Sequence, residues 1–423
     1  MRPQAVLAQR TFASLRKHRN YRLYFASHGV SFVGARMQQI AAYWLVLELT
    51  GSPVAVGALA FVQLLPVTVF GLFVGSVIDR VNVRRALLTT QTILMLAAAT
   101  LAVLTISGVV AVWQVYVLAA VQGIVLVLDN PCRHTLVFRI VGKEDLPNAV
   151  ALSSSLGTMA QIVGAGLGGV VVAVAGAGAA FALNAATYVA VIGALLAMRL
   201  AREDPAERVQ PTSGIVSGAR EGLAFMIRSR RAAVAFFTVL LVSTLAFNVD
   251  VLLPLLAKRT LDAGPEVLGL IAAVFGVGAL CGALLLATIG RASVRLLLVG
   301  AGALGVLELA LAPQSTVAAV CLLLFPMGMC SVLWASSALA TLQLAAPEHL
   351  RGRAASLYFF ALQGGAPIGG LLAGWLTAQG GTELAFAFAG TAAVLVTIAG
   401  IVALYGPSPF SRRSKELSTA TAP

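Results

Sequence analysis

Runs of apolar residues about 20 long, the length of helix that crosses a bilayer core of about 30 Å, recur along this chain with short polar breaks between them. They begin near Leu23, Val54, Ala86, Val112, Ala149, Gly178, Ala232, Val267, Val294, Val317, Ala354 and Ala385. A chain of 423 residues that is 59% hydrophobic and 11% charged carries more apolar side chain than a water-soluble core of its size could hide. The expected fold is all-α and integral to a lipid bilayer, with about twelve transmembrane helices.

The distribution of Lys and Arg tests that count. With the first span running outward, all of the 29 bases except Arg36, Lys258 and Arg259 fall in the termini and the connections after even-numbered spans. That is the bias of cytoplasmic loops, so the expected location is a bacterial plasma (inner) membrane with both termini cytoplasmic. The net charge of +13 is thereby a matter of topology, and no nucleic-acid partner is expected. Six bases precede the first apolar run, which is too long for a signal-peptide core, so the amino-terminal segment is expected to be retained. Cys132, Cys281, Cys321 and Cys330 are scattered without a CxxC pair, and neither a metal nor a cofactor is expected.

The longest polar stretch, 199–231, divides the chain. Its expected parts are a cytoplasmic segment 1–22, a six-helix half 23–198, the linker 199–231, a second six-helix half 232–405 and a tail 406–423. In the linker, Ile215, Val216, Ala219, Leu223 and Met226 interleave with Arg220, Glu221 and Arg228. That spacing suits an amphipathic helix on the inner leaflet, with a solvated linker as the alternative. The halves share a pattern: Gly164-Ala165-Gly166-Leu167-Gly168-Gly169 and Gly365-Ala366-Pro367-Ile368-Gly369-Gly370 sit six spans apart, as a duplication would place them around a central cavity. Gly164, Gly166 and Gly169 also fit a dinucleotide fingerprint, but no strand precedes them, and close helix packing is the reading kept.

After the second span, Gly75, Asp79, Arg80, Arg84 and Arg85 form a small-residue face followed by a compact charge cluster. Here the chain resembles the major facilitator superfamily, whose loop signature it matches at those five positions and leaves at Asn82, where the family has Gly. The resemblance implies an inner gate in which Asp79 faces the amino end of span 11, and Arg84 or Arg85 pairs with an acid at the inner end of span 4. Asp129, four residues before Arg133, occupies that place. Gly34 to Gln38, the Asp129-Asn130-Pro131-Cys132-Arg133 turn, Glu144 to Ala149 and Arg351-Gly352-Arg353 extend the likeness to the drug and siderophore exporter branch, with macrolide and enterobactin efflux proteins as relatives. Two efflux features differ: Ala165 stands where the fifth-span motif has Pro, and Ala119 stands where proton-coupled members carry Arg three residues before Gln122-Gly123.

Charges within spans are costly enough to be functional candidates by default. Arg36 lies near the middle of span 1 and Asp250 in the outer part of span 7. The resemblance places both spans around the cavity, where the pair either binds substrate or a proton or ties the halves together. Gln38, Tyr43, Asn248 and Trp334 are candidates for orienting and stacking against a solute. Glu48 and Glu308 are expected at interfaces.

These features predict a secondary active exporter of a small amphiphilic compound (drug, siderophore or secondary metabolite), working by alternating access. Proton is the expected coupling ion and a monomer the expected state. The alternatives are an uptake permease of the same fold and a lipid flippase. No GxxxxGK[ST] P-loop and no HExxH occur, so neither ATP hydrolysis nor a zinc-dependent enzyme is expected.

Overall fold

The computed structural model describes residues 13–71, 81–199, 229–290, 293–347 and 350–405, with backbone alone at 351–353. Gly75, Asp79 and Arg80 of the gate, the amphipathic stretch of the linker and the tail therefore lie outside the described residues.

Every regular element among the described residues is helical. A short α1 (Ala13–Lys17) leads to α2 (Arg19–Thr50), α3 (Pro53–Phe70) and α4 (Val83–Ile106). The next helix, α5, covers 86 residues, Val112–Ala197. Drawn straight it would be about 130 Å long, roughly four bilayer cores. It turns back instead at Gly142 and Gly176, whose φ of 72° and 78° combined with an extended ψ is a conformation open essentially to glycine alone. These breaks give α5a (112–141), α5b (143–175) and α5c (177–197).

Beyond the linker come α6 (Arg230–Leu245) and α7 (Val249–Leu255), the latter continuing as a π turn, Leu256–Thr260. Then follow α8 (Pro265–Ile289), α9 (Val294–Leu311), α10 (Val317–Ala345), α11 (Arg351–Gly364) and α12 (Ala366–Tyr405). A break at Gly380 and Gly381 divides α12 into α12a (366–379) and α12b (382–405).

Local chemistry explains the helix starts. Ser52, Asn82, Ser229, Ser293 and Thr316 each accept a backbone N–H three residues on, satisfying a donor that the first turn leaves free. Asn82, which stands where the resembled family has Gly, is thus an N-cap at φ −73°.

Eight of the described helices are long and apolar enough to cross a membrane, yet their apolar windows are only 28% to 61% buried. Val103, Val174, Leu322 and Val402 stand on bare outer faces. Surface this apolar is stable against lipid, so the chain is a multi-pass membrane protein.

The two glycine segments occupy matching places. Gly164 and Gly168 of α5b lie against α2 at Val33, Arg36 and Met37, and Gly365 and Gly369 lie against Thr244 and Asn248 at the end of α6. One residue further on, Gly169 meets Gly269 of α8 while Gly370 meets Gly57 of α3. Pro367, in the first turn of α12a, is buried beside them.

Candidate functional site

A cavity of about 550 Å³ opens where α2, α5b, α7, α8 and α12a converge. Arg36, Gln39 and Tyr43 line it from α2, and Gln161 from α5b. Phe247, Asn248 and Asp250 enter from an interruption between α6 and α7. There Ala246 and Phe247 both turn their N–H groups to the Val242 carbonyl, and the Asn248 amide donates 3.1 Å to the Thr244 carbonyl. The side chain thus satisfies a backbone acceptor that the interruption releases, as non-helical backbone at membrane depth requires. Pro254, four residues after Asp250, cannot return a hydrogen bond to the Asp250 carbonyl, which loosens the same segment.

Arg36 and Asp250 meet across the cavity. The guanidinium donates 2.8 Å to Asp250 Oδ1 and 2.7 Å to Gln39 Oε1, while Gln39 Nε2 reaches Asp250 Oδ2 at 3.4 Å. The pair is unequal: the Arg36 side chain is 14% exposed and that of Asp250 47%. Arg36 is therefore the group that depends on its partner, because a guanidinium withdrawn from water is costly without a counter-charge. Its Nε is buried and has no acceptor among the described residues.

A second cavity of about 330 Å³ lies among α2 to α5 and shares Arg36, Gln39, Gly157 and Gln161 with the first. Gln38 and Asn184 border it and bond to each other at 2.6 Å.

The sequence-derived set is thus brought together at Arg36, Gln38, Tyr43, Asn248 and Asp250. Trp334 is a correction: it is fully buried, packed on Phe247 at 5.6 Å between ring centres and backed by Gly300, and borders neither cavity. Gln39 and Gln161 were missed, being ordinary on a helix until the fold faces them inward, and so was Phe247 in the interruption. The interruption had a legible signal in Asn248 and Pro254 within an apolar run.

Glu308 is a second correction. It is fully buried on α9, and neither carboxyl oxygen has a hydrogen-bond partner among the described residues. Gly300 and Gly305 let α10 and α12b close tightly around this helix, which moves Glu308 from the expected interface into the protein.

Asp129 does not pair with Arg84. It accepts from Thr90 at 2.6 Å, Gln91 at 2.7 Å and its own helix neighbour Arg133, which lies over the Phe32 ring at 5.2 Å. Arg84 instead donates to the Leu195 and Leu196 carbonyls at the end of α5c, and the Arg85 backbone N–H bonds to Asn82. Both Asp129 and Arg133 are buried. Asp129→Ala should therefore lower stability by about 3 kcal/mol, the range for breaking a buried pair, read as a lower melting temperature in detergent; an unchanged melting point would show the pair to be dispensable.

At the start of α5b, Asp145 holds α1. His18 at 2.9 Å and Lys17 at 3.0 Å bond its carboxylate, and these two contacts keep its pKa below the ordinary carboxylate value. A depressed folded value stabilises the contact above the free value of about 4 and loses it as pH falls through the depressed one. A spin label at Arg16 should accordingly stay immobile from neutral pH down to about 4 and loosen below, while Asp145→Asn loosens it at neutral pH. A label equally mobile in both proteins would remove the tether.

These observations first define a class: a multi-pass helical membrane protein with a solute-sized, charge-bearing cavity among its helices, the build of a transporter. Residues 9–413 match the family described as transmembrane secretion effector, and the chain belongs to that family of the major facilitator superfamily. It is 27% identical over 398 residues to the multidrug efflux pump Tap of Mycolicibacterium fortuitum, covering 91% of this chain and 93% of that one. With macrolide efflux protein A of Streptococcus pyogenes it shares 25% identity over 302 residues, 68% of this chain and 72% of the relative. In fold it is similar to the nucleoside transporter NupG, with a TM-score of 0.74 at 13% identity over 92% of this chain and 100% of the other.

Proposed function

We propose that this chain is a secondary active exporter of a small amphiphilic organic compound, moving it by alternating access between two six-helix halves with protons as counter-ion. The observation that carries the reading is the Arg36–Asp250 bridge, a polar pair at a solute-sized cavity with an interrupted helix at its wall. Taking α5 as three spans, joining α11 to α12a, and adding α2 to the apolar helices brings the spans to twelve. The matched contacts of Gly169 with Gly269 and of Gly370 with Gly57 support a duplicated architecture. Relatives named for macrolide and multidrug efflux favour export.

Lys258 and Arg259, bases outside the cytoplasmic set, have a use in this scheme. Arg259 donates 2.6 Å to the Gly51 carbonyl, while Lys258 lies 4.8 Å from the centre of the Trp44 ring and 4.0 Å from Glu48. These contacts latch the halves at the face assigned to the outside and leave the cavity to open inward. The complementary inner gate is assigned to Gly75, Asp79, Arg80, Arg84 and Arg85, with Asp129 and Arg133 behind it; Asp79→Asn should cut transport without affecting insertion.

Proteoliposomes under an imposed pH gradient test the whole reading. Proton movement opposite to solute on addition of a drug or siderophore supports antiport. Solute movement indifferent to protons would redirect the mechanism to uniport or another ion, and selective movement of lipid would point to a flippase.

A further inference from the structure

We propose that the smaller cavity is a subsite for an uncharged, hydroxyl- and carbonyl-bearing part of the transported compound, an assignment that rests on the transport reading above. Its lining comes entirely from residues 32–188, so it belongs to the amino-terminal half alone. Gln63 of α3, Gln122 of α5a and Gln161 of α5b border it, and none bonds to another described residue. Gly123 packs directly on the Gln63 carbonyl, which brings α3 and α5a together and puts Gln63 and Gln122 on one wall. Ala119, one turn before Gln122, also borders the cavity, and its methyl leaves open the space that a long side chain would fill.

The chemistry of this lining is selective. A carboxamide carries donors and an acceptor on one side chain, which suits hydroxyl and carbonyl groups, and Leu59, Leu94 and Leu118 cover a carbon skeleton. Among the described residues no carboxylate borders the cavity, and its only ionisable neighbours are Arg36 and Tyr188. A cation here would be stripped of water with no counter-charge. An anion would compete with Asp250, which already occupies the Arg36 guanidinium.

The test uses the purified full chain in lipid nanodiscs, with chloramphenicol as a neutral probe bearing hydroxyls and an amide, and tetraphenylphosphonium as an apolar cation. Gln63→Leu combined with Gln122→Leu removes the hydrogen bonds, and Ala119→Leu fills the space. Each change should raise the chloramphenicol Kd about tenfold or more while leaving the melting temperature and any cation binding in the larger cavity as they were. Chloramphenicol bound equally well by all three proteins would overturn the subsite, as would parallel loss of both probes. A wild-type chain that binds and exchanges only the cation would overturn the neutral-group assignment and leave transport standing. Failure to bind or exchange either probe or any drug or siderophore would remove the transport reading itself, and the subsite with it.

Discussion

Gly169→Val is expected to abolish transport while the protein still inserts into the membrane. A Cβ at this position would lie 2.5 Å from the Pro265 carbonyl oxygen and 2.6 Å from the Gly269 Cα. Both neighbours are backbone, so no side chain can swing aside, and α5b and α8 must separate. Overpacking of this kind costs about 3 kcal/mol, which lowers the population of the closed crossing by about a hundredfold. Because the crossing joins helices assigned to different halves, the loss falls on the transport cycle more than on either bundle. Gly166→Ala is the control: its nearest neighbour would be the Ala273 Cβ at 3.8 Å, an ordinary contact, and transport should stay close to wild type. Uptake and export assays on matched amounts of membrane-inserted protein decide the matter. Transport by Gly169→Val within twofold of wild type would mean that the two backbones do not approach in the working protein.

The second large effect is expected at the bridge across the cavity. Asp250→Ala strands the Arg36 guanidinium, 14% exposed, with Gln39 as its remaining side-chain partner. The partly open cavity softens the penalty, which should be about 2 kcal/mol in stability, with transport falling on the order of 30-fold. Asp250→Asn keeps the shape and removes only the charge, so it should alter the pH dependence of transport. The double variant Arg36→Gln with Asp250→Asn separates the possible roles. With both charges gone, the melting temperature should recover, while transport should not if the pair has its proposed role on solute or proton. A double variant that both melts and transports like wild type would make the bridge a structural tie and nothing more.

The legibility of the fold follows from solvent. A helix facing lipid must be apolar and about 20 residues long whatever its neighbours do, so membrane character and the approximate span boundaries can be read one segment at a time. Gly142, Gly176 and Gly381 hold backbone conformations that other residues resist, yet among 41 glycines the sequence alone did not mark these three as the turns. The interruption before Asp250 left its trace in Asn248 and Pro254 within an apolar run, while Ala246 and Phe247, where the helix actually breaks, carry no breaker signal.

The candidate site divides along the same line. Arg36 and Asp250 stand out because an ionisable side chain in an apolar span is rare on cost alone, and the structure joins them at 2.8 Å. Trp334 and Glu308 were misjudged because burial depends on which face meets a neighbour. An aromatic ring in a span can line a cavity or fill a core, and glycines on the same or adjacent helices decided for the core in both cases. Asp129 found Arg133 one turn along its own helix, where the resemblance pointed to Arg84 or Arg85.

By itself, then, the sequence determined the solvent of this protein, its helical class, its superfamily and its rarest charges, since each is a property of one segment or of a short motif. Tertiary structure alone decided which glycines touch, which glutamines face a cavity, and which charges find each other. Those depend on helix rotation and approach, which are set by packing between segments far apart in the chain.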